Sequence, residues 1–316
     1  MNLVTRLNFD GMACAAILKE IDVINTWTFV HPSCLQNGII HITKRDILAN
    51  VPYAPGCALW FDHHLSEQQR VKGIKFKGES RMEKSTARII YEHYGGKEKM
   101  PYFEEMVTAV DKVKSGDLSI DDIMEPKDWV LLGLIMDPRS GFGRLKNFKL
   151  SNYALMEKLI ELCRFQKIDE IIDHFSVRER MDKYWEQNDL FNEMLNTHSE
   201  IYNNVIVTDL RDVPQIYIGN RFLIYVMYPE QNISIRVVGN QGQKHISIDV
   251  GHNVLNRTSS TKVGPLLLQY GGEGHKQVGT CVIPYDECDK TLEELIIKMK
   301  NQDEYQLLSN INKEGA

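Results

Sequence analysis

The feature that most constrains the fold is a short apolar run, residues 57–61, that ends abruptly in Asp62-His63-His64. The run has the length and the apolar character of a strand buried in a sheet. A carboxylate and two imidazoles at its end would lie at the carboxyl edge of the sheet, where open α/β folds bind their ligands. Two interpretations of the tripeptide alone stay open: a metal or proton-transfer site, and a polar cap on a core strand.

A second carboxylate follows a strand near the amino terminus. Residues 3–8 alternate like a short strand, and the small-residue segment after Asp10-Gly11 favours a helix packed closely on it. Asn8 precedes Asp10 by two positions, so both side chains can face one cation. Since Asp-Gly is also a common turn and an aspartate often caps a helix, this segment alone does not establish a site.

The order of predicted elements is that of an α/β protein with two domains. The predicted strands of the first domain are residues 3–8, 26–30, 39–43, 47–51 and 58–61, and its helices are 85–94, 104–110, 129–136, 153–165 and 177–196. After residue 198 we predict strands at 204–208, 222–228, 233–238 and 245–250, then helices at 263–268 and 292–300. We therefore expect an N-terminal domain, 1–195, with a largely parallel sheet and a helical linker from about 175, and a smaller α/β domain, 203–316.

Composition favours an intracellular protein. A chain of 316 residues that is 43% hydrophobic can bury two cores. The six cysteines form no Cys-x-x-Cys pair, which predicts reduced thiols and a cytoplasmic location. We find no signal-peptide stretch, and the longest apolar segment, residues 129–136, is too short to span a bilayer. A net charge of −6 argues against non-specific duplex binding but allows a local basic groove for a phosphate-rich ligand.

Far downstream, residues 271–279 read Gly-Gly-Glu-Gly-His-Lys-Gln-Val-Gly. Together with Phe9-Asp10-Gly11, the Asp62 tripeptide and Ala109-Val110-Asp111-Lys112, in that order, this loop makes most of the chain resemble the DHH phosphoesterase family. The family includes RecJ exonucleases, small-oligonucleotide phosphodiesterases and inorganic pyrophosphatases, and its members commonly carry a C-terminal substrate domain with a Gly-Gly-Gly-His loop. The subgroup that the motifs resemble most is the one described as exopolyphosphatase-related.

The resemblance implies hydrolysis of phosphodiester or phosphoanhydride bonds at a divalent-metal centre. Two cations can stabilise phosphoryl charge and supply hydroxide. Carboxylates and imidazoles suit Mn²⁺, our first choice, with Mg²⁺ as the alternative. By resemblance, His64 would contact the substrate phosphate or aid proton transfer to the leaving group. The implied metal-ligand positions are Asn8, Asp10, Asn50, Asp62, His63 and Asp111.

Three positions depart from the family pattern, all on one metal site. Arg6 stands where the family has a histidine, and Asn8 replaces its first aspartate. Asn50 replaces its bridging aspartate, unless Asp46 or Thr43 is the aligned position. A guanidinium cannot bind a cation, and an amide oxygen is a neutral ligand. We therefore expect one tight metal site, an incomplete second one, and a catalytic Arg6 that takes the place of the other cation and binds phosphate.

The second domain would bind the phosphate end of the substrate. Small residues before His275 let backbone N–H groups approach an anion, and Lys276 adds a charged donor. Arg236 fits the family's strand-borne arginine, although it or Arg257 could instead form a surface ion pair. The predicted substrate-binding residues are Arg236, Arg257, Gly272, Gly274, His275 and Lys276.

The expected partner is a short single-stranded oligonucleotide, a nucleotide or polyphosphate, bound in a cleft between the domains, with no membrane and with a homodimer as the expected assembly. The alternative function is a nucleotide- or phosphate-binding sensor whose metal site has degenerated. Asp111 lies among lysines, which is typical of a solvated salt-bridge face, and only the resemblance makes it a ligand. Residues 136–144, a glycine-rich turn with two arginines, are interpreted as a surface loop in preference to the edge of the cleft.

Overall fold

The structure is a computed structural model that describes residues 1–239 and 244–300. The chain divides into two compact units, Met1–Glu186 and Gln187–Ala316. The predicted domain limits, 195 and 203, stay a prediction, and residues 240–243 and 301–316 of the predicted second domain lie outside the described residues.

A five-stranded parallel sheet forms the centre of the first unit. Its strands are β1 (Asn2–Thr5), β2 (Thr26–Phe29), β3 (Asp46–Ala49), β4 (Leu59–Asp62) and β5 (Gly78–Ser80), in the order β2-β1-β3-β4-β5. Val4, Leu48 and Trp60 are register partners on one face and pack in one apolar cluster. Leu3, Ile47 and Phe61 are fully buried on the other face. A parallel sheet covered on both faces is built from such continuous apolar strands.

Helices surround this sheet. They are α1 (Phe9–Glu20), α2 (Pro32–Gln36), α3 (Leu65–Arg70), α4 (Thr86–His93), α5 (Gly96–Lys99), α6 (Glu104–Ser115), α7 (Ile120–Met124), α8 (Asp128–Ile135), α9 (Asn152–Phe165) and α10 (Ile168–Asp173). A further helix, α11 (Phe175–Thr197), contains the boundary between the units. Residues 12–18 of α1 are fully buried, and this helix packs against α4, α6 and α9. Small side chains in α1 allow this close packing.

The second unit contains a mixed six-stranded sheet in the order β10-β11-β9-β8-β7-β6. The strands are β6 (Ser199–Tyr202), β7 (Val205–Asp209), β8 (Ile233–Val238), β9 (His245–His252), β10 (Glu273–Gly274) and β11 (Val278–Pro284). The helices are α12 (Leu223–Met227), α13 (Val263–Leu268) and α14, residues 288–300. Buried and partly buried residues alternate along β8, and its buried face joins α13 and α14 in one core.

The predicted fold class is confirmed, whereas two predicted elements are wrong. Residues 39–43 form no strand; Ile42 packs as part of a loop on Leu35 and Leu48, so its apolar character reflects burial without strand pairing. Residues 222–228 contain α12, with Phe222 and Tyr225 buried. A short apolar run does not distinguish a buried helix from a buried strand by periodicity. Within the described residues, no helix is long and apolar enough to cross a bilayer.

Candidate functional site

Three neighbouring strands bring polar side chains to the same edge of the parallel sheet. Asn8 follows β1, Asn50 follows β3, and Asp62 ends β4. The chain reverses its direction of winding between β1 and β3, which is where sheets of this order bind ligands. Asn50 is fully buried and has a φ of 58°, a left-handed conformation that asparagine tolerates better than most residues. The fold therefore directs these three side chains to the switch point of the sheet.

Asp62 orients His64. The Asp62 Oδ1 lies 2.9 Å from His64 Nδ1, and its Oδ2 accepts the His64 backbone N–H at 2.9 Å. Nδ1 is therefore the ring nitrogen that faces the carboxylate, and Nε2 is the one that points away from it. Both residues are buried, and burial raises the pKa of Asp62 to about 7, although the His64 backbone bond and Arg6 act in the opposite direction. The pair can hold or move a proton near neutral pH.

His63 connects this pair to Asp10. Its Nδ1 lies 2.7 Å from Thr86 Oγ1 and 3.9 Å from Asp10 Oδ2. Asp10 accepts the backbone N–H groups of Ala87, at 2.8 Å, and Thr86, at 3.3 Å, at the start of α4. A helix amino terminus stabilises a negative charge. Burial nevertheless raises the pKa of Asp10, against the effect of a nearby lysine and of these two bonds.

The ligand atoms of Asp62, His63 and His64 lie within 4.8 Å of one another. In residues 1–239 and 244–300 this is the one group of three or more histidine, cysteine or acidic side chains with such a geometry. A buried carboxylate with two imidazoles is a donor set that fits a divalent cation. Asp10 adds a second carboxylate beside His63. The chemistry of the donors therefore agrees with the predicted metal site, while the individual ligand roles stay predictions.

Asp111 has other partners in the structure. Ser85 Oγ donates to its Oδ1 at 2.6 Å, and Arg88 Nε donates to its Oδ2 at 2.8 Å. Burial raises the pKa of Asp111, while Ser85 and Arg88 oppose that effect. A carboxylate can accept further bonds beyond these two, so the predicted metal role is compatible with them. The role stays a prediction.

The two asparagines bond to each other. Asn50 Nδ2 donates to Asn8 Oδ1 at 3.2 Å, and Asn8 Oδ1 also accepts the Gly11 backbone N–H at 2.9 Å, which caps α1. Lys114, on α6, approaches this pair, with its Nζ 3.5 Å from Asn50 Oδ1. Arg6 acts electrostatically on both Asp62 and Lys114. A lysine ammonium therefore lies beside the asparagine pair at the positions predicted for the incomplete metal site.

Sequence reasoning missed Lys114. Its Nζ lies 3.8 Å from Asp10 Oδ2, and burial lowers its pKa, with Asp10 acting in the opposite direction. One signal was present in the sequence: Lys114 follows Asp111 by three positions, and residues so spaced share a face of a helix. Arg139, in the turn at residues 136–144, also acts electrostatically on Lys114, while its guanidinium bonds to Asp137. The interpretation of this turn stays a prediction.

The predicted substrate-binding residues all belong to the second unit. His275 and Lys276 are exposed in the turn between β10 and β11. A Cβ at Gly272 would lie 2.5 Å from the Thr280 carbonyl oxygen, and one at Gly274 would lie 2.5 Å from Gly279 Cα. Close packing of the hairpin by itself therefore requires both glycines. An anion-binding role for them stays a prediction.

Two arginines complete that predicted set. Arg236 lies on β8, with Thr208 on one side and Asp249 on the other as register partners. Arg257 Nε donates to the Val254 carbonyl oxygen at 3.0 Å, which holds the side chain against its own loop. Their substrate roles stay predictions.

Comparison with known proteins finds a strong likeness to a solved structure. No protein-family model and no curated protein matches the chain. Among solved structures, the pGpG-specific phosphodiesterase PggH from Vibrio cholerae is 38% identical, with 95% of this chain and 99% of that chain covered and a TM-score of 0.78. RecJ from Thermus thermophilus in complex with Mg²⁺ is 14% identical, with 96% and 49% covered and a TM-score of 0.43, a likeness too weak to argue from. PggH is matched over nearly its whole length, and the Asp62-His63-His64 cluster lies at the edge of a parallel sheet. The chain therefore belongs to the DHH phosphoesterase family.

Proposed function

We propose that this protein is a metal-dependent phosphodiesterase that hydrolyses short oligonucleotides, with pGpG as the first substrate to test. The observation that carries the proposal is the 38% identity to PggH across 95% of the chain. The cluster of Asp62, His63 and His64, in which Asp62 and His64 are buried, supports the same reaction class, because it offers both metal ligands and a group for proton transfer.

Asp62, His63 and Asp10 would hold the divalent cation, for which we propose Mn²⁺. The cation would polarise the phosphoryl oxygens and lower the pKa of a bound water. Asp62 fixes the His64 ring through Nδ1, so that Nε2 can donate to a phosphate oxygen or pass a proton to the leaving oxygen. Burial of this pair excludes water from the proton donor and strengthens its interaction with an anion.

Arg6 and Lys114 would add positive charge on the side of the asparagine pair. A guanidinium binds phosphate bidentately, and an ammonium acts as a point charge. We propose that His275 and Lys276, exposed at the β10–β11 turn, bind the terminal phosphate of the substrate. Homodimerisation and a cytoplasmic location remain part of the proposal.

A substrate panel tests the proposed function. Purified protein with Mn²⁺ is incubated with pGpG, a short single-stranded RNA, and inorganic polyphosphate, and products are separated by anion-exchange chromatography. We expect GMP from pGpG, little attack on polyphosphate, and no product from the His63→Ala variant or in EDTA. Preferential shortening of polyphosphate would contradict the proposed substrate class.

The asparagine pair favours a second candidate, a nucleotide-binding sensor. Asn8 and Asn50, which stand where the family pattern has aspartates, bond to each other, and Lys114 approaches them. Titration calorimetry with pGpG distinguishes the candidates. Binding of pGpG without any metal-dependent turnover would support the sensor and would contradict the phosphodiesterase.

A further inference from the structure

The strongest unassigned feature is the position of Lys114 inside the candidate metal centre. Its Nζ lies 3.8 Å from Asp10 Oδ2 and 3.5 Å from Asn50 Oδ1, so it stands between the residues that follow β1 and β3. The lysine side chain is 22% exposed, whereas the Asp10 side chain is 1% exposed. The ammonium group of a partly exposed side chain therefore faces a buried carboxylate.

The contacts of Lys114 are longer than those of a fixed ion pair. Direct N–H···O bonds measure about 2.7–3.2 Å. The ammonium is therefore attracted to Asp10 by charge, and it donates to Asn50 Oδ1 only at the long limit of a hydrogen bond. Such a group can turn towards a phosphate oxygen while it still neutralises the carboxylate.

Charged groups from several elements face the same ammonium. Asp10 on α1 and Asp62 at the end of β4 attract it, while Arg6 and Arg139 repel it. A divalent cation placed between Asp10 and Asn50 would be a neighbour of this positive charge. Neighbouring like charges repel strongly in a partly buried site. The lysine and a second metal ion therefore compete for the same place.

We propose that Lys114 is a built-in cation that replaces a second metal ion between Asp10 and Asn50. The centre then binds one divalent cation, on the side of Asp62 and His63, and Lys114 neutralises the substrate phosphate on the other side. The sequence predicted Arg6 for this place, but the contacts with Asp10 and Asn50 belong to Lys114. The role towards phosphate rests on the proposed function, whereas the number of metal ions does not.

The Lys114→Met variant separates this role from a structural one. Methionine keeps an unbranched apolar side chain and removes the charge. We expect Mn²⁺ to bind about tenfold more tightly, which is about 1.4 kcal/mol, because Asp10 loses its cationic partner and the metal loses a repelling neighbour. We expect pGpG, titrated in Ca²⁺ to slow hydrolysis, to bind at least about tenfold more weakly. Damage to the fold would instead weaken the binding of both Mn²⁺ and pGpG.

Two control variants isolate the charge at this position. Lys114→Arg keeps a positive charge, so its Mn²⁺ affinity is expected to stay close to that of the wild type. Lys112, on the same helix, pairs with Asp122 outside the centre. Lys112→Met is therefore expected to change neither the Mn²⁺ affinity nor the pGpG affinity. Circular dichroism of each metal-free variant shows whether it is folded.

Metal counting gives a readout that needs no activity. Inductively coupled plasma mass spectrometry after buffer exchange is expected to find one Mn²⁺ per wild-type chain. The double variant Asn50→Asp, Lys114→Met restores a bridging carboxylate and removes the competing ammonium, so it is expected to hold two. Both results would support the built-in cation.

Three results would overturn the inference. They are two Mn²⁺ per wild-type chain, weaker Mn²⁺ binding by folded Lys114→Met, and the same tightened binding by Lys114→Arg. If Lys114→Met does not fold, the number of Mn²⁺ ions per wild-type chain and the Mn²⁺ affinity of Lys114→Arg still test the inference. Absence of hydrolysis together with a single tight Mn²⁺ would refute the proposed function and leave the inference about metal number standing.

Discussion

Replacing Asp62 by asparagine is expected to stabilise the metal-free protein at pH 8 and to abolish hydrolysis. The carboxyl group is fully buried, and burial raises its pKa from 3.8 to about 7. The folded state therefore favours the protonated form. At pH 8 the wild type must hold an ionised group in a place that disfavours it, whereas asparagine carries no charge.

The size of the effect follows from the shift in pKa. A change from 3.8 to about 7 is roughly 3 units, and at about 1.4 kcal/mol per unit the ionised carboxylate costs the folded state about 4 kcal/mol. The amide group cannot accept both bonds from His64, which costs about 1–2 kcal/mol. The net gain is about 2–3 kcal/mol, or roughly 5–8 °C in Tm for a unit of this size.

The reasoning also predicts how the stability difference between Asp62→Asn and the wild type changes with pH. A carboxyl group whose pKa is raised by folding contributes its full stability below the unfolded value of 3.8, and this contribution is lost as the pH rises through about 7. The asparagine variant should therefore be more stable than the wild type at pH 8, and the difference should disappear at pH 5. With saturating Mn²⁺ the wild type should be the more stable of the two proteins at pH 8, because metal binding stabilises the wild type more than the asparagine variant.

Differential scanning calorimetry in EDTA at pH 5 and pH 8 measures these differences. Asp46→Asn is a matched control: burial acts to raise the pKa of Asp46, but bonds from Thr43 and Asn2 lower it overall, so its loss should destabilise the protein at pH 8. A lower Tm for Asp62→Asn than for the wild type at pH 8 would refute the reasoning. So would a difference that is the same at both pH values.

Three further predictions test other parts of the structure. Arg88→Met leaves buried Asp111 without its cationic partner, so we expect a loss of about 2–4 kcal/mol in urea unfolding; no loss would mean that the pair contributes little. Gly274→Ala should destabilise by at least about 1 kcal/mol, whereas Gly143→Ala, where a Cβ meets nothing within 4 Å, should be neutral; equal effects would contradict the packing argument. His275→Ala removes the side chain proposed to bind the terminal phosphate, so KM for pGpG should rise. Because this side chain is exposed, Tm should stay unchanged, and an unchanged KM would exclude a binding role.

The parts of the fold that could be predicted were those with a local signal. The strands predicted at residues 3–8, 47–51 and 58–61 appear as β1, β3 and β4. The first prediction was too long, because β1 ends at Thr5 and Asn8 caps α1. The two wrong elements, residues 39–43 and 222–228, are also apolar runs, but they pack as a loop and as a helix. Local hydrophobicity predicts burial, while the partners in the folded chain decide the secondary structure.

The site was predictable only where its residues lie at strand ends. Asp62 ends β4, and Asp10 lies in the first turn of α1, the helix that follows β1, so both lie where these parallel strands end. The spacing from Asp111 places Lys114 on the same face of α6, but its approach to Asp10 and Asn50 depends on how α6 packs against α1, which the sequence does not specify. The bond between Arg88 and Asp111 likewise depends on how α4 packs against α6.

The most direct test of the central claim is the release of GMP from pGpG by the wild type and by His63→Ala, each assayed in EDTA and after Mn²⁺ is restored. We predict GMP as the product of the wild type with Mn²⁺, none in EDTA, and none from His63→Ala under either condition. Equal release by the two proteins, or release that EDTA does not affect, would contradict the assignment of the Asp62-His63-His64 cluster as the metal centre of a phosphodiesterase.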